Sequence, residues 1–285
     1  TVWAWGNNMD GELGDGSDEL YRTTPVQVIG LTDVVEIAAG AYHAIAKKSD
    51  GSLWAWGDNA YGQLGTGNTE SSNIPVQVYA SRTAEIAAGY YHTMMTTTTH
   101  GAVNVCGDNT YGQLGQAAYT ASYSTSFIRP DDMIFVSKIA AGAYHSLAFK
   151  SGTVWAWGKN TSGQFGNGNK TNSSTPVQAT TVSVSEFSDM AAGLSHSMLR
   201  YNDATIKTWG DNTSYQLGDI NLVSQNWNGE WEVAAERLVP GGCSTNAIKI
   251  AKGACAQHSL AIAPNGNVVG WGSNASGQLG VRPYY

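Results

Sequence analysis

One phrase constrains this 285-residue chain more than any other: LWAWGDNAYGQLGTG, at residues 53–67, is one of six recognisable copies. The other copies start at Val2 (VWAWGNNMDGELGDG), Val103 (VNVCGDNTYGQLG), Val154 (VWAWGKNTSGQFGNG), Ile206 (IKTWGDNTSYQLG) and Val268 (VVGWGSNASGQLG). The glycine closing each W-G or C-G pair stands at Gly6, Gly57, Gly107, Gly158, Gly210 and Gly272, giving steps of 51, 50, 51, 52 and 62 residues. A unit of this size cannot bury its own apolar face, so the copies must pack on one another. That predicts one domain over residues 1–285.

Each copy holds four apolar pulses separated by turn residues, represented by 85–89 (EIAAG), 92–96 (HTMMT), 102–106 (AVNVC) and a Pro-Val-Gln-Val segment as at 75–78. Short runs of this kind read as strands, and helical periodicity is sustained nowhere. Four short strands per unit predict an all-β fold, a β-propeller of four-stranded blades. Tryptophans at i and i+2 share one strand face and can fill the wedge between blades. Asp58 and Asn59 supply hydrogen bonds to the following turn, with Leu64 inward and Gln63 tying loop amides. Tyr215, where other copies have glycine, predicts a rebuilt loop. A second phrase, A-A-G-x-x-H, ends at His43, His92, His145 and His196, with a stretched fifth copy ending at His258. Its small residues suit the crowded axis, so it is assigned to the innermost strand.

Six W-G phrases meet only five A-A-G phrases. The chain starts at a third strand and stops after another, so ring closure would need residues 25–28 to supply the last blade's fourth strand. The expectation is six blades, or seven if the chain is incomplete. The surplus strand (Thr1, Val2, Trp3, Ala4 and Trp5, or residues 268–271) would keep an unpaired edge able to add to a neighbouring copy, giving a homo-polymer. An irregular insert at 219–247 explains the 62-residue step and carries Trp227 and Trp231, which no blade position demands.

Charged residues make up only 13 %, and net charge is −7. An acidic chain lacks the basic face that nucleic acid or an anionic membrane requires. No apolar run has the length of a membrane helix. Low charge with many Gly, Asn, Ser and Thr points to an extracellular or cell-surface setting. Cys106 reads as a buried small hydrophobe in place of a tryptophan, while Cys243 and Cys255 could clamp the irregular stretch between them.

The recurring W-A-W-G-D-N-x-x-G-Q-L-G-x-G, P-V-x-V and I-A-A-G-x-x-H-S-L-A segments together resemble the regulator of chromosome condensation repeat family. The resemblance spans essentially the whole chain and implies a propeller, usually seven-bladed. It does not imply one function, since the family includes an exchange factor for a small GTPase, ubiquitin-ligase modules and secreted bacterial members. Composition draws this chain toward the secreted prokaryotic members, and no partner-contacting residue carries over.

Five equivalent histidines could form an axial metal or proton ring, but a residue repeated in every unit reads first as architecture, bonding loop backbone. No nucleophile elbow, H-E-x-x-H or P-loop is present, so no enzyme, cofactor or metal site is expected. Tyr42, Tyr91 and Tyr144 precede blade histidines, and Tyr61 and Tyr111 precede Q-L-G. With Trp227 and Trp231 they are the candidate contacts for a protein partner. The expected function is a non-catalytic extracellular binding or structural propeller that self-assembles, the alternative being a soluble inhibitor or regulator of a secreted hydrolase or small GTPase.

Overall fold

A computed structural model describes residues 1–179, 187–202, 206–218, 247–251, 253–263 and 265–280. Its strands form five antiparallel blades and one two-stranded sheet. The two-stranded sheet pairs β1 (Trp3–Asn7) with β2 (Tyr21–Gln27). The first blade is β3 (Val34–Ala39), β4 (His43–Lys48), β5 (Leu53–Gly57) and β6 (Ser72–Tyr79). The second is β7 (Thr83–Ala88), β8 (His92–Thr97), β9 (Val103–Asp108) and β10 (Tyr123–Ile128). The third is β11 (Val136–Ala141), β12 (His145–Lys150), β13 (Thr153–Gly158) and β14 (Ser173–Gln178). The fourth, β15 (Phe187–Ala192), β16 (His196–Tyr201) and β17 (Ile206–Gly210), and the fifth, β18 (Lys249–Ile250), β19 (His258–Ile262) and β20 (Val268–Gly272), show three strands each among the described residues.

The propeller is therefore five-bladed, which corrects the expectation of six or seven. The correction turns on residues 25–28. They do not cross to the last blade but pair with their own sequence neighbour, Trp3 facing Gln27 and Ala4 facing Val26. A hairpin closing about twenty residues costs less entropy than a closure across the whole chain. The N-terminal sheet is thus an outer strand pair with no inner pair of its own. It packs Val2, Val28 and Leu31 against Ala46 and Trp56 of the first blade.

The A-A-G strands are innermost, as expected: β3 touches β7, β7 touches β11, β11 touches β15 and β15 touches β18. Between blades the core is apolar, with Ala140, Leu147, Val154, Phe165, Met190 and Leu199 packed in one seam. Side chains fully removed from water supply the drive that holds the sheets together.

The Q-L-G loop is built the same way in each unit. Asn59 Oδ1 accepts from Leu64 N at 2.9 Å, and Asn8, Asn109, Asn160, Asn212 and Asn274 repeat that bond five residues on. Gly62 has φ +75°, and a Cβ there would lie 2.5 Å from Thr125 Cα in the next blade's fourth strand. Tyr215 adopts the same left-handed backbone with φ 62°. Its loop keeps the Leu217 N to Asn212 Oδ1 bond at 3.0 Å, so it is not rebuilt. Tyr215 is 48 % exposed, whereas a side chain at Gly62 would meet Thr125 backbone.

Candidate functional site

The histidines form a seam relay, not an axial ring. His43 Nε2 lies 2.9 Å from Thr93 Oγ1 of the next blade, and Thr93 Oγ1 donates to the Gln63 carbonyl of the first blade at 2.7 Å. The arrangement repeats for His92, Ser146 and Gln113, for His145, Ser197 and Gln164, and for His196, Ser259 and Gln216. A hydroxyl has one proton, and here it goes to the carbonyl, so Nε2–H of the histidine must be the donor in the other bond. The same carbonyls also accept the next blade's indole: Trp157 Nε1 to Gln113 O, Trp209 Nε1 to Gln164 O and Trp271 Nε1 to Gln216 O. In the second blade Cys106 replaces the indole, its Sγ 3.5 Å from Gln63 O. The cysteine is more than a small hydrophobe, because it serves the same acceptor.

The histidine's bond therefore goes to a side-chain hydroxyl across the seam and not to loop backbone. Burial lowers the pKa of His43 and His196 to about 4 and of His92 and His145 to about 3. Their Nδ1 atoms are buried without a partner, so a second proton would be an unpaired charge. Among the described residues no three His, Cys, Asp or Glu side chains gather in a way that could hold a metal ion. Cys255 is an exposed free thiol, and Cys243 lies outside the described residues.

Above this relay, at the end of the propeller carrying the first-to-second strand turns, tyrosines from the first three blades meet. The turns are laced by backbone bonds, Ala41 N to Tyr90 O at 3.3 Å and Tyr90 N to Ala143 O at 3.0 Å. Tyr42 stacks on Tyr91 at 5.7 Å, Tyr91 meets Tyr61 at 4.9 Å, Tyr90 stacks on Tyr144 at 5.5 Å, and Tyr144 meets Tyr111 edge-on at 5.4 Å. All five tyrosines singled out from sequence are brought into one partly exposed patch. Tyr90 was missed, because its position is Ala or Leu in the neighbouring repeats, yet it joins the two halves. A hydrogen bond with Tyr42, then burial, pushes the Tyr90 phenol upward, and burial first raises Tyr91 to about 12. Tyr90 and Tyr91 therefore stay protonated at neutral pH.

Lys159 completes it, with Nζ 5.0 Å from the Tyr111 ring centre and 5.5 Å from that of Tyr144. In the four other units with a loop glutamine its position is an acceptor: Asp58 takes Gln63 Nε2 at 2.7 Å, Asp108 takes Gln113 Nε2, Asp211 takes Gln216 Nε2 and Ser273 takes Gln278 Nε2. With lysine there, Gln164 Nε2 is buried with no partner. Leaving a buried amide unbonded costs about 1–3 kcal/mol, which architecture alone gives no reason to accept.

Trp227 and Trp231 lie outside the described residues. Of the five N-terminal residues, Trp3, Ala4 and Trp5 lie in β1, an edge strand, while Thr1 and Val2 precede it; Val2 is buried, whereas Trp3 and Trp5 are 53 % and 63 % exposed. No helix among the described residues is long and apolar enough to cross a membrane.

Models of the regulator of chromosome condensation (RCC1) repeat match residues 1–46, 50–96 and 151–200, and a second model of that repeat matches 34–63, 84–113, 136–164 and 256–278. The ultraviolet-B receptor UVR8 of Arabidopsis thaliana is 29 % identical over 98 % of this chain and 62 % of its own length. The X-linked retinitis pigmentosa GTPase regulator homologue of Caenorhabditis elegans is 31 % identical over 98 % of this chain and 22 % of its own. The chain thus spans about three fifths and about one fifth of these two relatives. Among solved structures, human WBSCR16 superposes with TM-score 0.79 at 23 % identity, over 98 % of this chain and 73 % of that one, a likeness of fold. The two curated relatives are eukaryotic and lend nothing to the closer likeness to secreted prokaryotic members drawn from composition. With repeats matched along most of its length and seams built from the repeat's own residues, the chain belongs to the regulator of chromosome condensation (RCC1) repeat family.

Proposed function

We propose that this propeller is a non-catalytic protein-binding module whose docking surface is the tyrosine patch at the axial mouth. The observation that carries this reading is Lys159. It leaves Gln164 Nε2 unbonded, and in exchange sets a cation over Tyr111 and Tyr144. Aromatic rings with polar tips give large contact area at low side-chain entropy, which suits a protein interface. The relatives' names, a receptor and a GTPase regulator homologue, favour a regulatory role for the interaction. The low-charge, Asn- and Thr-rich composition supports an extracellular setting. The test is quantitative affinity capture with the wild type, a Tyr42→Ser/Tyr91→Ser/Tyr144→Ser variant and a distant Ile248→Ser control, each checked for an unchanged thermal midpoint. A partner lost only from the triple variant is expected. An identical partner set for all three refutes the reading.

A second reading, head-to-tail self-assembly, is favoured by one observation. Trp5 occupies the place of Trp157, Trp209 and Trp271, whose indoles bond the preceding unit's glutamine carbonyl, but Trp5 is 63 % exposed. The fifth blade of a second copy, presenting Gln278, would complete that bond. Size-exclusion chromatography of wild type against Trp5→Ser decides it: a concentration-dependent assembly absent from the variant is expected, and a monomer at all concentrations refutes it.

A further inference from the structure

The opposite end of the propeller, where second strands turn into third strands and one blade passes to the next, holds a groove of about 710 Å³. Its wall takes Tyr79 and Arg82 from the passage into the second blade, and His100 from the turn between β8 and β9. Arg129, Ile134 and Phe135 come from the passage into the third blade. The volume falls within the range of small-molecule sites, roughly 300–1,000 Å³.

The charge of this groove runs against that of the chain. Acidic residues outnumber basic ones 22 to 15, and only six residues are arginine, yet two of those six line this wall and no carboxylate does. The ion pairs among the described residues join Arg22 to Asp15, Lys47 to Glu36 and Lys138 to Glu85, and neither groove arginine is among them. The repeat does not require arginine at 82. The residue entering the inner strand of each of the first three blades carries the same left-handed backbone, at Asp33 (φ 58°), Arg82 (φ 70°) and Phe135 (φ 59°), so in these blades the turn is common while the side chain varies. Guanidinium groups free of protein carboxylates are suited to gripping a phosphate with parallel N–H donors.

Beside the arginines stands an apolar ledge. Phe135 is 60 % exposed and meets the His100 ring edge-on, with centroids 5.8 Å apart and planes at 87°. Its outer face is open to a flat ring, and Ile134 and Tyr79 continue the wall. A phosphate grip next to a stacking face, in a space of this size, defines a ligand with both parts.

We propose that this groove binds a nucleoside monophosphate, its phosphate held by Arg82 and Arg129 and its base laid on Phe135. Binding here is independent of the tyrosine patch, which lies at the other end of the propeller, so neither result bears on the other. The test is isothermal titration calorimetry of the full chain with adenosine monophosphate, guanosine monophosphate, adenosine and inorganic phosphate. Both nucleotides should bind, with adenosine and phosphate each at least about tenfold weaker. Arg82→Ala and Arg129→Ala should each weaken the nucleotides about tenfold or more. Arg82→Lys and Arg129→Lys, which keep the charge without the fork, should give smaller losses and serve if an alanine variant fails to fold. Phe135→Ala should weaken nucleotides severalfold and leave phosphate unchanged. The proposal is overturned if neither nucleotide binds at millimolar concentration, if adenosine binds as tightly as its monophosphate, if inorganic phosphate binds as tightly as the nucleotides, or if binding survives the arginine changes.

Discussion

Mild acid should take this propeller apart, and the four seam histidines set where. Their side chains are buried and neutral, with pKa values of about 3–4 against an ordinary 6.5. A base whose pKa is depressed by folding binds its proton more readily in the unfolded chain. Its contribution to stability is therefore complete above about pH 6.5 and is lost as pH falls toward the folded value. One unit below the unfolded pKa, each histidine costs about 1.4 kcal/mol, so four together cost about 6 kcal/mol. That is comparable to the whole stability of an ordinary domain, about 5–15 kcal/mol. His258, whose pKa is also lowered by burial, acts in the same direction. Urea unfolding between about pH 7.5 and 5 should give a stability slope nearing four protons, or about 5 kcal/mol per pH unit at its steepest. A His145→Gln variant should lose about one proton from that slope while being less stable at neutral pH. A slope of one proton or fewer in the wild type refutes the seam assignment.

Three further outcomes follow from the same geometry. Ser146→Ala strands His92 Nε2–H and should lower stability by about 1–3 kcal/mol in urea unfolding, whereas Ala44→Ser, with no histidine in the preceding sheet, should change it by less than about 0.5 kcal/mol. Gly89→Ala places a Cβ 2.1 Å from His92 Cε1 and should cost about 3 kcal/mol, while Gly253→Ala, whose Cβ meets only Ala256 Cβ at 3.5 Å, should be tolerated; thermal midpoints distinguish them. Lys159→Asp restores an acceptor to Gln164 and should raise stability by about 1 kcal/mol while weakening partner capture, and a variant that gains in both would refute the role given to the lysine.

Strand positions were legible because turn residues are fixed by backbone need: Gly57, Gly107 and Gly158 all sit near φ +100°. Blade number was not, because residues 25–28 could have joined either sheet, and only the entropy of closure favours β1. The tyrosine patch was legible in five of its six members, since those five recur at fixed offsets from the histidine or Q-L-G. Tyr90 breaks the repeat and carries no periodic signal. The relay's second half could have been found: Thr93, Ser146, Ser197 and Ser259 each follow a histidine, and Ala44 alone departs. Lys159 had a signal too, as the one base in a column of Asp, Asn and Ser. It was passed over because the exception means nothing until Gln164 is seen beneath it.

The seams have a consequence for how such chains grow. Every junction from the first blade to the fifth uses the same currency of histidine, hydroxyl and glutamine carbonyl, so a whole unit can be copied or deleted and its flanks will still match. Length is then cheap to change and the rims are not. Genetic drift in the number of units should leave the joints intact, and what distinguishes one lineage from another will be written on the two open ends of the disc.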